Sequence, residues 1–457
     1  MKDLAKQLSA RWTFRVVLAV SLLMMLGRNL PGHLSYDSVA QLYEGRFHVR
    51  ETWGPPLYAA ILGFFDRFVP GTALYVTASA ALFWTCLASM PDLRPRTSWL
   101  VVAVTAPLML IPQVFIYQAI VWKDVAFANC AVAGLVCIAH AARVWPHRVR
   151  RWLLLIAAAL FLAIGSQVRQ NGIIAAGFAA LALGWVAGQG RWLRSAAWAL
   201  GGLLAVAVLG QTLTFFSIPP MSPPQHGVSV GLRIVQNYDL MGAAALDPSY
   251  RLDAIVATSP AEAALMRQRA RLDYSGRRVD FIDRDEVMTD ALWRIPDSAA
   301  NKQWADLIVK HPGLYLRLRW EDFRWVFAPP VIDWCLPIYV GVDAPTEKMA
   351  PLKLEHRFED SDARLNNYAT WFLGTPIYEH GFYAAISLVV AALLFWRRQP
   401  QDVAIAALQL AGVAFAASFF IISIACDYRY LYFTDLAAIA GLIYVAVDPP
   451  SPWLKSA

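Results

Sequence analysis

The chain gathers its apolar residues into ten runs near 20 residues long, and most of the loops between them are short and rich in Arg. A run of that length matches a hydrocarbon core of about 30 Å crossed at about 1.5 Å per residue. Inside lipid a spanning segment has no water to satisfy its amides and carbonyls, so each run must be a helix. Composition agrees: 58% of the 457 residues are hydrophobic, 16% are charged, and the mean hydropathy is +0.44. The fold class read from this pattern is an α-helical polytopic membrane protein.

The net charge of +7 does not point to a nucleic-acid partner, because the excess sits in loops. Lys2, Lys6, Arg11 and Arg15 precede or open the first run, and Arg94 and Arg96 follow the second. Arg143, Arg148, Arg150 and Arg151 make the next cluster, followed by Arg191 with Arg194 and by Arg397 with Arg398. If all these loops face the cytoplasm, the positive-inside rule holds throughout. Lipid head-group binding by each cluster is the weaker reading of the same residues. The first run ends in GRNLPGH and has no small-x-small site after it, so it is expected to be a retained helix. Of five cysteines, Cys86, Cys130 and Cys137 fall within runs, which leaves Cys335 and Cys426 near the outside with no spacing that argues for a bond.

Segment 55–69 is too short to span and carries Asp66 and Arg67, so it reads as an interfacial amphipathic helix. The spans are then about 13–29, 72–90, 99–118, 125–142, 152–168, 172–188, 195–216, 380–396, 403–424 and 430–447. Ten spans put both termini in the cytoplasm. They also divide the chain into a membrane module of seven spans at 1–216 with an outer first loop at 30–71, a mostly helical soluble domain at 217–379 in the periplasm, and a three-span module at 380–457. The soluble stretch opens with the Pro-rich SIPPMSPPQHG, and Trp304, Leu307 and Ile308 fall on one helical stripe.

Charged residues just past the outer ends of spans carry the functional reading. Asp37, in SYDSVAQLYEGR, could be a helix cap, as could Ser38 with Gln41; as a carboxylate facing water it could also take a proton from an acceptor hydroxyl. Lys123 and Asp124, in IYQAIVWKDVAFA, could anchor and cap a helix, or meet a phosphate and orient an acceptor or a divalent ion. Arg169, in GSQVRQNGI beside Asn171, and Arg429, in CDYRYLYF beside Tyr430, stand on the face where the charge rule disfavours Arg. With Lys123 they could converge on one lipid-linked phosphate. Eight His residues show no ligand spacing, and no Gly-rich phosphate loop is present, so neither a His-built metal site nor a nucleotide donor is expected.

An acidic residue soon after the first span, two interfacial helices at about 37–46 and 55–69, and a second acidic residue in WKD resemble the GT-C superfamily of membrane glycosyltransferases. That superfamily includes protein mannosyltransferases and the lipid A aminoarabinose transferase. The resemblance covers about residues 13–172 in detail and only the architecture beyond. Unlike the mannosyltransferases, Asp37 is followed by Ser38 and not by a second carboxylate, which favours metal-free base catalysis; a divalent cation, Mg or Mn, is left open. The resemblance implies a multi-pass enzyme of the bacterial inner membrane, its active site facing the periplasm and its donor a sugar on a polyprenyl phosphate. The acceptor would be a glycan, a lipid or a protein. In an inverting displacement Asp37 would serve as base, Asp124 would position the acceptor, and Lys123, Arg169 and Arg429 would stabilise the departing phosphate. Two rivals remain at this level: an O-antigen ligase or polymerase, and a lipid or polysaccharide transporter, although a transporter wants its charges at mid-membrane and these lie at span ends.

Overall fold

The computed structural model describes residues 2–52, 54–219 and 227–449, so most of the Pro-rich lead-in to the soluble stretch lies outside the described residues. Contacts divide the chain into two compact units. One comprises Met1–Ser222, Ile338–Phe415 and Leu431–Ala457; the other comprises Pro223–Pro337 and Ala416–Tyr430. The segment after Pro337, expected to close the soluble domain, therefore groups with the membrane helices.

In the first unit the helices before the large insertion are α1 (Lys2–Asn29), α2 (Tyr36–Phe47), α3 (Pro56–Asp66), α4 (Ala73–Ser89), α5 (Leu100–Leu108), α6 (Pro112–Phe115), α7 (Lys123–Arg143), α8 (Arg148–Val168), α9 (Ile173–Gly188) and α10 (Trp192–Ser217). The second unit contains α11 (Gly227–Leu246), α12 (Asp253–Val256), α13 (Pro260–Asp273), α14 (Glu286–Arg294), α15 (Asp297–Lys310) and α16 (Pro312–Phe327). There follow α17 (Thr346–Met349), α18 (Asp360–Thr370), α19 (His380–Arg397), α20 (Pro400–Ile422) and α21 (Tyr432–Val447). Nine described helices are long and apolar enough to cross a membrane. The protein is a polytopic helical membrane protein.

The third expected span is not one helix. It bends by 73° between Leu100–Leu108 and Pro112–Ala119. Pro107 and Pro112 lie at the break, where each lacks an amide to donate. The freed carbonyls find partners: Tyr368 Oη donates to Leu110 O (2.6 Å), Tyr432 Oη to Gln113 O (2.7 Å) and Asn29 Nδ2 to Phe115 O (2.9 Å). Such compensation is what allows broken backbone at membrane depth.

Alongside α1 the broken piece runs from one end of the bundle to the other. Arg11 near the start of α1 donates to Pro91 O, Arg94 O and Thr97 Oγ1, just before α5. At the far end of α1, His33 pairs with Ile120. The bent pair is thus one broken span and not a re-entrant loop, which brings the count to ten.

One end of this unit is basic and cross-tied. Arg94 pairs with Asp402 and Asp448 at 3.0 Å each, Arg15 with Asp92 at 2.8 Å, and Tyr444 Oη donates to Asp402 at 2.6 Å. At the other end α2 and α3 pack as the two expected amphipathic helices, crossing where Gly45 meets Gly63. A Cβ on Gly45 would stand 2.1 Å from Ala59 O, so only glycine allows the approach. Arg46 clamps the crossing through both oxygens of Asp66.

The second unit closes over its own apolar core, including Met241, Met266, Ile282, Leu307 and Leu318. Leu307 and partly buried Trp304 share the α15 stripe, and α15 ends before His311 as the His-Pro boundary predicts. Arg319 is buried between Asp239 and Asp322, at 3.0 Å from each. Burial pushes the Asp322 carboxyl up to about 7 and that of Asp239 up to about 6, against the pull of Arg319. Cys335 and Cys426 form a disulfide, with Cα atoms 4.9 Å apart across 91 residues of sequence. Spacing alone had left that bond unsupported.

The ten-span count is checked by thiol labelling with a membrane-impermeant reagent. Cysteines replacing Phe68 and Gln170 should label from the same face, and cysteines replacing His147 and Gln399 only from the opposite one. Were the α5–α6 piece re-entrant, Phe68 and Gln170 would fall on opposite faces.

Candidate active site

Two helices that carry the sequence-predicted acids begin side by side. Extended backbone at Ser35 (φ −82°, ψ 175°) ends the loop after α1, and α2 starts at Tyr36. The cap is Ser35, whose amide is 3.3 Å from Ser38 Oγ in a capping box. The sequence offered Asp37 or Ser38 as the N-cap, and it is neither: the chain leaves its pairing at His33–Leu34 first, and the cap falls two residues before Asp37. Asp37 occupies the second helical position and is half-buried. A carboxylate there is favoured by the positive end of the helix dipole. Downstream, Glu44 accepts from the amides of Glu51 (2.8 Å) and Thr52 (2.5 Å), which fixes the turn into α3.

α7 begins at Lys123, with Trp122 as its extended N-cap residue (φ −111°, ψ 141°). The indole Nε1 of Trp122 donates to Ser35 Oγ at 2.8 Å, so one N-cap side chain is bonded to the other. Backbone pairing reinforces this junction: His33 N donates to Ala119 O and Val121 N to His33 O, both at 3.0 Å. The amino ends of α2 and α7, with Asp37 and Asp124 at the same helical position, are therefore held together.

His33 is the hidden pivot. It is 1% exposed, and burial, then the nearby charge of Arg357, lower its pKa to about 4. Gly341 N donates to Nδ1 at 3.0 Å, so the proton of the neutral ring lies on Nε2, which faces Asn29 Oδ1 at 3.0 Å. The 3.7 Å approach of Asp362 to Nδ1 is accordingly not an ion pair; Asp362 instead pairs with Arg357 at 3.3 Å. Arg357 also donates to Gly32 O at 2.8 Å. Sequence reading passed over His33, Ser35, Trp122 and Arg357. Only the Ser-x-x-Ser spacing at Ser35 offered a local signal; the others are defined by partners far along the chain.

Asp124 is buried, and Arg169 forms an ion pair with it. Arg169 caps the end of α8 in extended backbone, and Asn171 lies in the 3-10 turn Gln170–Gly172 that returns into α9. The structure thus joins two of the residues read from the sequence as separate contacts to acceptor and phosphate. Lys123, one residue earlier and half-buried, stands at the amino end of α7. Asp37, Lys123, Asp124, Arg169 and Asn171 all belong to the first unit. Arg429 and Tyr430 belong to the second, where Asp427 accepts from Arg429 at 3.4 Å and also pairs with Arg278. Among the described residues no group of three or more His, Cys, Asp or Glu side chains could hold a metal ion.

No family model and no characterised protein sequence matches the chain. Among solved structures, the archaeal oligosaccharyltransferase AglB from Archaeoglobus fulgidus, in complex with an inhibitory peptide and a dolichol-phosphate, is similar over 95% of this chain, at 15% sequence identity and a TM-score of 0.41. The chain spans 50% of the length of that protein.

Removing one partner of a buried ion pair strands the other charge. Arg169→Ala should therefore destabilise the protein by about 3–5 kcal/mol, and adding Asp124→Asn should restore much of that loss. Thermal unfolding in detergent reads both. An Arg169→Ala protein as stable as the wild type would mean that the pair carries no such load.

Proposed function

We propose that this protein is an integral-membrane glycosyltransferase that moves a sugar from a polyprenyl-phosphate carrier to an acceptor hydroxyl outside the cytoplasm. The observation that carries the reading is the junction of two helix amino ends, joined by the Trp122–Ser35 bond and bearing Asp37 and Lys123, at the end of the bundle opposite the Arg94 network. Helix amino ends present unbonded amides and a positive dipole end, which together suit a phosphate, and Lys123 adds a full charge. The lipid-spanning scaffold suits a donor that is itself a lipid.

In the proposed step the acceptor oxygen attacks the anomeric carbon as Asp37 takes its proton. The bond from that carbon to the phosphate oxygen breaks, and the polyprenyl phosphate leaves with the electron pair. Lys123 and the amides of α2 and α7 receive the growing charge. The Asp124–Arg169 pair positions Lys123 by fixing α7 against α8. Arg429 and Tyr430 are given no part in the step.

The Cys335–Cys426 disulfide supports a site facing an oxidising compartment such as the bacterial periplasm, with the Arg-rich end in the cytoplasm. The transferred sugar and its acceptor are defined by what the cell loses with the protein. Mass spectrometry of envelope glycans and of the polyprenyl-phosphate pool in a deletion strain would identify both.

Asp37→Asn keeps size and polarity while removing the base. Transfer measured in that strain or in vesicles should fall by about 10²-fold or more. Near-normal transfer by a well-folded Asp37→Asn protein would show that the proton leaves by another route.

A further inference from the structure

From the basic end of the first unit, α7, α8, α9 and α10 line a cleft of about 520 Å³ that runs up between them as far as Leu162 and Ala176. That lies within the ordinary range of small-ligand sites, about 300–1,000 Å³. Its lining runs from Trp152 and Trp198 to Leu162 and Val206 and holds no charged, hydroxyl or amide side chain. Trp152 and Arg169 are 17 residues apart on the α8 path, about 25 Å of helix, so the cleft mouth and the proposed active site lie near opposite faces of the membrane.

A second hollow of about 710 Å³ adjoins the mouth, lined in part by Trp145, Trp185, Trp192, Gln189 and Ser195. The Trp145 and Trp198 rings meet at 5.6 Å, with Trp152 against Trp198 at 5.6 Å. Such a cluster is typical of the head-group level of a bilayer. Arg151 stacks over Trp145 at 4.9 Å and donates to its carbonyl at 3.1 Å.

Charge surrounds this mouth with one sign. Arg148, Arg150, Arg191 and Arg194 are exposed and make no ion pair among the described residues, and residues 139–152 and 186–198 contain no Asp or Glu. The amino ends of α8 and α10 open among these arginines, which adds positive dipole to positive side chains. A topological signal alone requires the arginines but not an apolar cleft beneath them.

We infer that this cleft is a binding site for an anionic phospholipid of the membrane, one acyl chain lying between α8, α9 and α10 and the phosphate among Arg148, Arg150, Arg191 and Arg194. The inference stands on the charge and shape at this end and does not depend on the glycosyltransferase reading.

The full-length protein, purified in detergent, is equilibrated with equal phosphatidylglycerol and phosphatidylcholine, and the lipids retained are counted by native mass spectrometry. Wild type should retain the anionic lipid at least about tenfold over the zwitterionic one, since each Lys or Arg near the membrane surface adds to the attraction for an anionic head group. Replacing the four arginines by Gln should abolish that preference. Gly201→Phe is the independent arm: a Cβ at Gly201 meets nothing within 4 Å, so the ring fills the cleft with charge and insertion signal intact. It should lose the retained lipid while melting as the wild type does. Equal retention of the two lipids by wild type, or undiminished phosphatidylglycerol on Gly201→Phe, overturns the site. So does stronger retention of added polyprenyl phosphate than of phosphatidylglycerol, because the cleft would then belong to the donor.

Discussion

A backbone that leaves the helix inside lipid must bring its own partners, and the rest of the proposed site depends on how this chain meets that requirement. The break between Leu108 and Pro112 frees carbonyls that Asn29, Tyr368 and Tyr432 satisfy. Once they are satisfied, the chain leaves its 3-10 turn at Ala119 for extended backbone at Ile120 beside the end of α1, and His33 can pair with it. That pairing sets Trp122 against Ser35. The two helix amino ends then share one location, although they belong to helices 87 residues apart in sequence. A neutral His33 suits this role, because a protonated ring would lose its acceptor for Gly341 N and place a charge beside Arg357.

Electrostatics divides the first unit along the membrane normal. At one end arginines either tie helices together, as Arg94 does to Asp402 and Asp448, or ring an apolar cleft. At the other end charges of both signs are interspersed, and several are tied in specific pairs: Arg46 to Asp66, Arg357 to Asp362, Arg169 to Asp124. Exposed surface charge is weakly coupled and mainly sets topology, whereas a buried pair is costly to break and therefore fixes geometry.

Spans, interfacial helices and the helical stripe of α15 were legible because each is a periodic property of contiguous residues. Asp37 and the Lys123-Asp124 pair were visible as charges at span ends. What they touch was not. Arg169 read as one of three cations for a phosphate, yet it pairs with Asp124, whose partner no spacing rule could name. The break at Pro107 and Pro112 was masked by an unbroken apolar run, since hydropathy does not see lost amides. Cys335 and Cys426 were the right pair by elimination, but a separation of 91 residues gives no register from which a bond follows.

The central claim is that a lipid phosphate sits where α2 and α7 begin. A cryo-EM structure of the full chain with a non-transferable polyprenyl-phosphate sugar analogue tests it most directly. The account predicts phosphate density at the amino ends of α2 and α7, within reach of Lys123, with the anomeric carbon open to the Asp37 side. Phosphate density bound at the Arg-rich end, or at a site that leaves the Trp122–Ser35 junction empty, would contradict it.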